Sequence, residues 1–148
     1  MQKIAIGSDH RGVGLKEKLK QSLNANFAYV DVGTNSTDPV DYPDIASLVA
    51  KRVLSGECVR GIIICGSGVG ACVAANKFKG IRAGICHDVF SAHQGVEDDD
   101  MNVLCIGGGV IGESLAAEII AAFLSAEFKP EERFLRRLEK VKKIEDGN

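Results

Sequence analysis

Gly61-Ile62-Ile63-Ile64-Cys65-Gly66-Ser67-Gly68-Val69-Gly70-Ala71 decides the architecture of this 148-residue chain. Gly61 to Cys65 is an unbroken apolar run without polar alternation, the pattern of a parallel strand covered on both faces. Glycines at 66, 68 and 70 then turn the chain into a small-residue helix, predicted from about 70 to 78. Working outward, short strand-like runs alternate with longer helical ones. Strands are predicted at 3–7, 27–32, 82–86 and 102–106. Leu15, Leu19 and Leu23, four apart among Lys and Glu, predict a helix over 15–23. Pro43 suits the first turn of a helix running to about Leu54. A helix follows the fourth strand, another spans 114–123, and a charged helix runs from about 130 to 145. This order implies right-handed crossovers and an α/β fold: a Rossmann-like three-layer αβα sandwich on a five-stranded parallel sheet. Residues 1–148 are expected to form one domain, without internal repeat or linker.

Composition narrows the function classes. Hydrophobic residues make up 45% and charged residues 26%, enough for a core and unlike a disordered chain. Eighteen basic residues against 20 acidic leave a net charge of −2, which argues against nucleic-acid binding. Aromatics at 5%, with no Trp, leave little for base stacking. Met1 to Asp9 shows no secretory leader and no apolar run reaches membrane-spanning length, so a cytoplasmic protein without membrane contact is expected. The five Cys (58, 65, 72, 86, 105) include no CxxC pair, which argues against zinc sites and disulfide frameworks.

Parallel α/β sheets bind ligands beyond the C-terminal ends of their strands, so strand-ending residues are the candidates. Converging N–H groups at Gly66 to Gly70, beside a helix start, would make an anion hole. A bare glycine turn without ligand is the competing reading. Cys65, beside that hole, is either a core thiol or a base or nucleophile. Asp9-His10 pairs a carboxylate with an imidazole at the end of the first strand, although Asp9 also suits a helix cap. Gly107-Gly108-Gly109-Val110-Ile111-Gly112 fits G-x-G-x-x-G, but no strand ending in an acidic residue follows, which argues against a nicotinamide cofactor. Arg133 and Arg137 share a helix face and are either a phosphate clamp or a solvated surface. The run Glu97 to Asp100 reads as a solvated loop, and His87 and His93 as ordinary partly exposed histidines.

Together these stretches resemble the sugar-phosphate isomerase family that includes ribose-5-phosphate isomerase type B and the galactose-6-phosphate isomerase subunits. The resemblance is carried by Ile4 to His10, Asp41-Tyr42-Pro43, Ile64 to Gly70, Ala74 to Lys77, Gly80 to Ala83, Asn102-Val103-Leu104 and the Arg133/Arg137 pair. It implies isomerisation of ribose 5-phosphate and ribulose 5-phosphate through a cis-enediolate, with no metal or cofactor. The assembly it implies is a homodimer, or a tetramer built from it, with sites between subunits and the 130–145 helix packed on its own or the partner subunit. Carried over, Cys65 is the base, and the amides of Gly66, Ser67, Gly68, Val69 and Gly70 with the Ser67 hydroxyl hold the enediolate oxygen. Asp9 exchanges protons at the sugar oxygens, Tyr42 shapes the pocket, and His10, Arg133 and Arg137 hold the phosphate. Asp98 and Asp99 stand where the family has His-Asn, Asp98 taking the acid–base position and Asp99 a substrate-binding one. Gly109 stands where an Arg is common in the family; Arg11, beside His10 in the sequence, is expected to restore the lost charge, which is not a family trait. Isomerisation of a tetrose or hexose phosphate, and noncatalytic binding by a partner subunit, are the alternatives.

Overall fold

The structure, a computed structural model, describes residues 1–147. Its strands are β1 (Lys3–Ser8), β2 (Ala28–Asp31), β3 (Arg60–Cys65), β4 (Ala83–Ile85) and β5 (Val103–Gly107). The helices are α1 (Val13–Leu19), α2 (Tyr42–Leu54), α3 (Val69–Ala75), α4 (Val89–Asp99), α5 (Glu113–Ser125) and α6 (Glu132–Gly147). All strands are parallel, in the order β2-β1-β3-β5-β4. The predicted α/β class and five-stranded parallel sheet are therefore present.

The central strand explains the layers. Ile62 and Ile64 of β3 point into a core with Ile4, Ile6, Leu104, Ile106 and the apolar faces of α4 and α5. Ile63 and Cys65 point the other way, with Ala5, Val103 and Cys105, against α2 and α3. Ile62 to Ile64 are at most 1% exposed, each contributing about 1.5–3 kcal/mol of burial. Strand order reverses between β1 and β3, so a crevice opens where those two strands end.

Three local expectations need correction. The helix predicted over 15–23 is α1, Val13–Leu19; beyond it the Ser22 hydroxyl donates to the Leu19 carbonyl and Asn24 accepts from the Asn26 N–H. Such side-chain bonds compete with helix propagation, while Leu23 still packs on the core from the turn. Glu97, Asp98 and Asp99 form the last turn of α4, not a loop, and the helix ends at Asp100 with φ 50°. The predicted polar flank of α1 also contains a fully buried Lys16. Its Nζ donates to Asp31 Oδ1 at 2.7 Å and to the Thr34 carbonyl at 2.6 Å, tying α1 to the end of β2 and the loop after it. Burial pushes Asp31 upward, but bonds from Lys16, Lys20 and the Gly33 N–H outweigh it and hold the carboxyl below its usual range.

Candidate active site

β3 delivers Cys65 to the lip of the sheet, where the residue is 4% exposed. Its sulfur faces the glycine loop, because Sγ accepts the Gly68 N–H at 3.2 Å. Gly68 adopts φ 85°, the left-handed region that suits glycine, and this turns the loop back over the thiol. Ser67 is exposed, and its Oγ accepts the Val69 N–H at 3.2 Å. α3 spans only seven residues, so the loop amides carry more of the positive potential than a helix dipole.

The second glycine cluster is the partner of the first. The Gly108 and Gly109 N–H groups donate to the Cys65 and Gly66 carbonyls at 2.7 and 2.9 Å. A Cβ at Gly107 would lie 2.7 Å from the Ser67 backbone. Close backbone approach, rather than dinucleotide binding, thus accounts for the glycines after β5. His87 is also more than an ordinary surface histidine: its Nε2 accepts the Gly107 N–H at 2.9 Å and fixes that turn. A histidine just after a strand was the only signal for it in the sequence.

Across the crevice, Asp9 follows β1 and, instead of capping α1, whose N-cap is Gly12, closes the turn before it: its Oδ1 accepts from the Arg11 and Gly12 N–H groups at 2.9 and 3.0 Å. His10 Nδ1 accepts the Val40 N–H at 3.1 Å, tying the turn after β1 to the loop before α2 and leaving Nε2 as the ring's donor. The Tyr42 ring lies over Gly70, where a Cβ would come within 2.7 Å of it. Asp9, His10, Tyr42, Cys65, Ser67 and the loop from Gly66 to Gly70 therefore gather on one edge of the sheet.

Four assigned residues, Asp98, Asp99, Arg133 and Arg137, do not join them within one chain. Asp98 and Asp99 close α4 just before β5, at the opposite, N-terminal edge of the sheet. α6 packs on its own chain along that edge, its Glu145 carboxylate accepting the Gly80 N–H at 3.2 Å and its Arg137 charge facing Asp99. Arg133 pairs with Glu131 at 3.1 Å. Partial burial and the adjacent Asp98 charge raise the Asp99 pKa, against the pull of Arg137, whereas Asp98 accepts from Gln94 Nε2 at 2.7 Å. A cavity of about 650 Å³ opens beside Asp99, between α6 and the start of β4.

One thiol escaped the sequence reading. Cys72, on α3, has its pKa lowered to about 7 by a hydrogen bond from Cys105, whose own thiol is pushed well up; burial pushes Cys86 to about 11. Nothing in the local sequence marks Cys72, since its partner lies 33 residues away on β5.

Known proteins that share this fold and sequence place the chain among α/β aldose–ketose isomerases of sugar phosphates. The chain belongs to the ribose/galactose isomerase family, whose model matches residues 4–141. It is 43% identical to ribose-5-phosphate isomerase B of Escherichia coli over 146 residues, covering 98% of this chain and 97% of that protein. It is 41% identical to D-erythrulose-4-phosphate isomerase 2 of Mycolicibacterium smegmatis over 133 residues, 87% of this chain and 88% of that one. The structure of the type B ribose 5-phosphate isomerase of Trypanosoma brucei superimposes with a TM-score of 0.92 at 41% identity, covering 96% and 97% of the two chains. No described helix is long and apolar enough to cross a membrane.

Proposed function

We propose that this chain interconverts ribose 5-phosphate and ribulose 5-phosphate as a homodimer, with Cys65 as the base. The observation that carries this reading is the sulfur turned into the glycine loop, where Sγ meets the Gly68 N–H at 3.2 Å. The thiolate takes the proton from C2 of the open-chain aldose, giving a cis-enediolate, and returns it to C1. The loop amides and the Ser67 hydroxyl hold the oxygen on which negative charge develops. Asp9 shuttles the hydroxyl protons, and His10 holds the phosphate from the same subunit. Preorganised donors of this kind are worth about 10²–10³ in rate each, and the base about 10²–10⁴.

The split of the assigned residues between two sheet edges supports an inter-subunit site. A second copy laid with its N-terminal edge over this crevice would bring Arg133 and Arg137 to the phosphate and Asp98 and Asp99 to the sugar ring. The raised Asp99 carboxyl suits proton donation during ring opening better than its sequence position alone implied.

A second reading keeps the chemistry and changes the sugar. Carboxylates at 98 and 99, together with a relative named for D-erythrulose 4-phosphate, favour testing a tetrose phosphate beside the pentose. A coupled assay of the purified protein on four-, five- and six-carbon sugar phosphates tests both. Turnover fastest on ribose 5-phosphate is expected; a faster tetrose or hexose would reassign the substrate, and no turnover would leave a noncatalytic binder.

A further inference from the structure

Two arginines among the described residues have no hydrogen-bonding or ion-pair partner for their guanidinium. Arg52, Arg60, Arg82, Arg133 and Arg136 are each bound to a carboxylate or a backbone carbonyl. Arg137 is one of the free pair, on the N-terminal edge. Arg11 is the other, at the end of β1, on the edge that carries Cys65.

Arg11 is not a loose surface cation. Asp9 clamps the Arg11 and Gly12 N–H groups, and a Cβ at Gly12 would lie 2.2 Å from the Ile64 carbonyl oxygen, so the turn is wedged against the end of β3. On its other side, Gly108 approaches the Arg11 carbonyl; a Cβ there would lie 3.4 Å away. The side chain leaves this fixed backbone toward Gly66. Its Cζ, Nε and Nη1 all lie 2.5–2.7 Å from where a Gly66 Cβ would stand. The guanidinium is thus seated on the bare face of Gly66, in space that exists because residue 66 has no side chain. Gly109, which donates to the Gly66 carbonyl at 2.9 Å, adds no side chain to that space either. A planar cation carried by a fixed backbone, resting on Gly66 and left without an anion among the described residues, is suited to receive one.

We propose that Arg11 is a substrate-binding residue that grips the terminal phosphate of the sugar from its seat on Gly66, making this site selective for phosphorylated over neutral sugars. This rests on the isomerase reading given above. His10, the preceding residue, uses Nδ1 to anchor the loop before α2, so Arg11 supplies the permanent charge of this turn. The phosphate dianion matches the guanidinium fork, which a neutral hydroxymethyl end cannot engage.

Steady-state kinetics and inorganic phosphate binding on the full chain, wild type, Arg11→Ala and Arg11→Lys, test this. Arg11→Ala is expected to raise KM for the sugar phosphate about tenfold or more with kcat within about threefold, because the contact is equal in ground and transition states. Inhibition by inorganic phosphate is expected to weaken in parallel, and Arg11→Lys to fall between. Thermal melting confirms that each variant is folded. Turnover with unchanged KM and unchanged phosphate inhibition overturns the role of Arg11 and leaves the isomerase reading intact. A fall in kcat at constant KM overturns it too, since the cation then serves the reacting end. If the wild type turns over no sugar phosphate, the isomerase reading fails by itself. Calorimetry with inorganic phosphate then decides for Arg11: binding lost in Arg11→Ala supports it, and equal binding overturns it.

Discussion

The two edges of the sheet use polar side chains in opposite ways. At the N-terminal edge they are spent on structure. Arg60 donates to the Phe123 and Ala126 carbonyls, Arg82 to Asp100 and the Gly80 carbonyl, and Asn102 accepts from the Arg82 N–H at 2.7 Å while donating to the Gly80 carbonyl. At the C-terminal edge the loops after β3 and β5 clasp each other through backbone at Cys65, Gly66, Gly108 and Gly109, and Asp9, His10 and His87 brace the turns around them. The thiol and the Ser67 hydroxyl each accept one loop N–H, and the Arg11 guanidinium has no partner among the described residues. A thiol at the lip of the sheet, with an exposed hydroxyl and an exposed, unpaired guanidinium beside it, marks this edge as the one able to meet a ligand.

Substitutions can break this contrast. Cys65→Ala is expected to lower kcat at least about a hundredfold while the protein stays folded, as loss of a general base does. Arg82→Ala, at the other edge, is expected to lower stability by about 2 kcal/mol, read by denaturant unfolding, through loss of its bonds to Asp100 and the Gly80 carbonyl. Arg137, the exception on that edge, sharpens the comparison. Arg137→Ala is expected to raise KM about tenfold with stability little changed, because among the described residues its guanidinium makes no hydrogen bond and meets only the charge of Asp99. If sites are shared between subunits, mixing Cys65→Ala with Arg137→Ala subunits restores turnover that neither has alone at low substrate. The smallest effect concerns thiols. Cys72 is expected to alkylate with a midpoint near pH 7, while Cys86 stays unreactive until about pH 11; mapping the modified peptides across pH checks this.

Much of this was legible from residue order. The apolar run ending at Cys65, the glycines after it and the strand–helix alternation identified the sheet, its central strand and the edge that carries the thiol. Helix ends were less legible, since Ser22 and Asn24 stop α1 through side-chain bonds that apolar spacing does not record. Long-range partnerships were hidden altogether. Lys16 reads as a solvated helix position until Asp31 and Thr34 close over it, and His87 reads as ordinary until Gly107 arrives from 20 residues away. The glycines at 107–109 match a nucleotide-binding pattern that the missing acidic strand end argues against, yet small residues report close approach without naming what approaches, here the loop after β3.

Proton exchange tests the central claim most directly. Wild type and Cys65→Ala are each incubated in D₂O with the sugar phosphate that the coupled assay selects, and NMR follows deuterium at C1 of the ketose and C2 of the aldose. Wild type is expected to exchange solvent deuterium at these carbons, and Cys65→Ala to remain at the rate of buffer alone. Exchange by Cys65→Ala at the wild-type rate would contradict the assignment of the sulfur as the base.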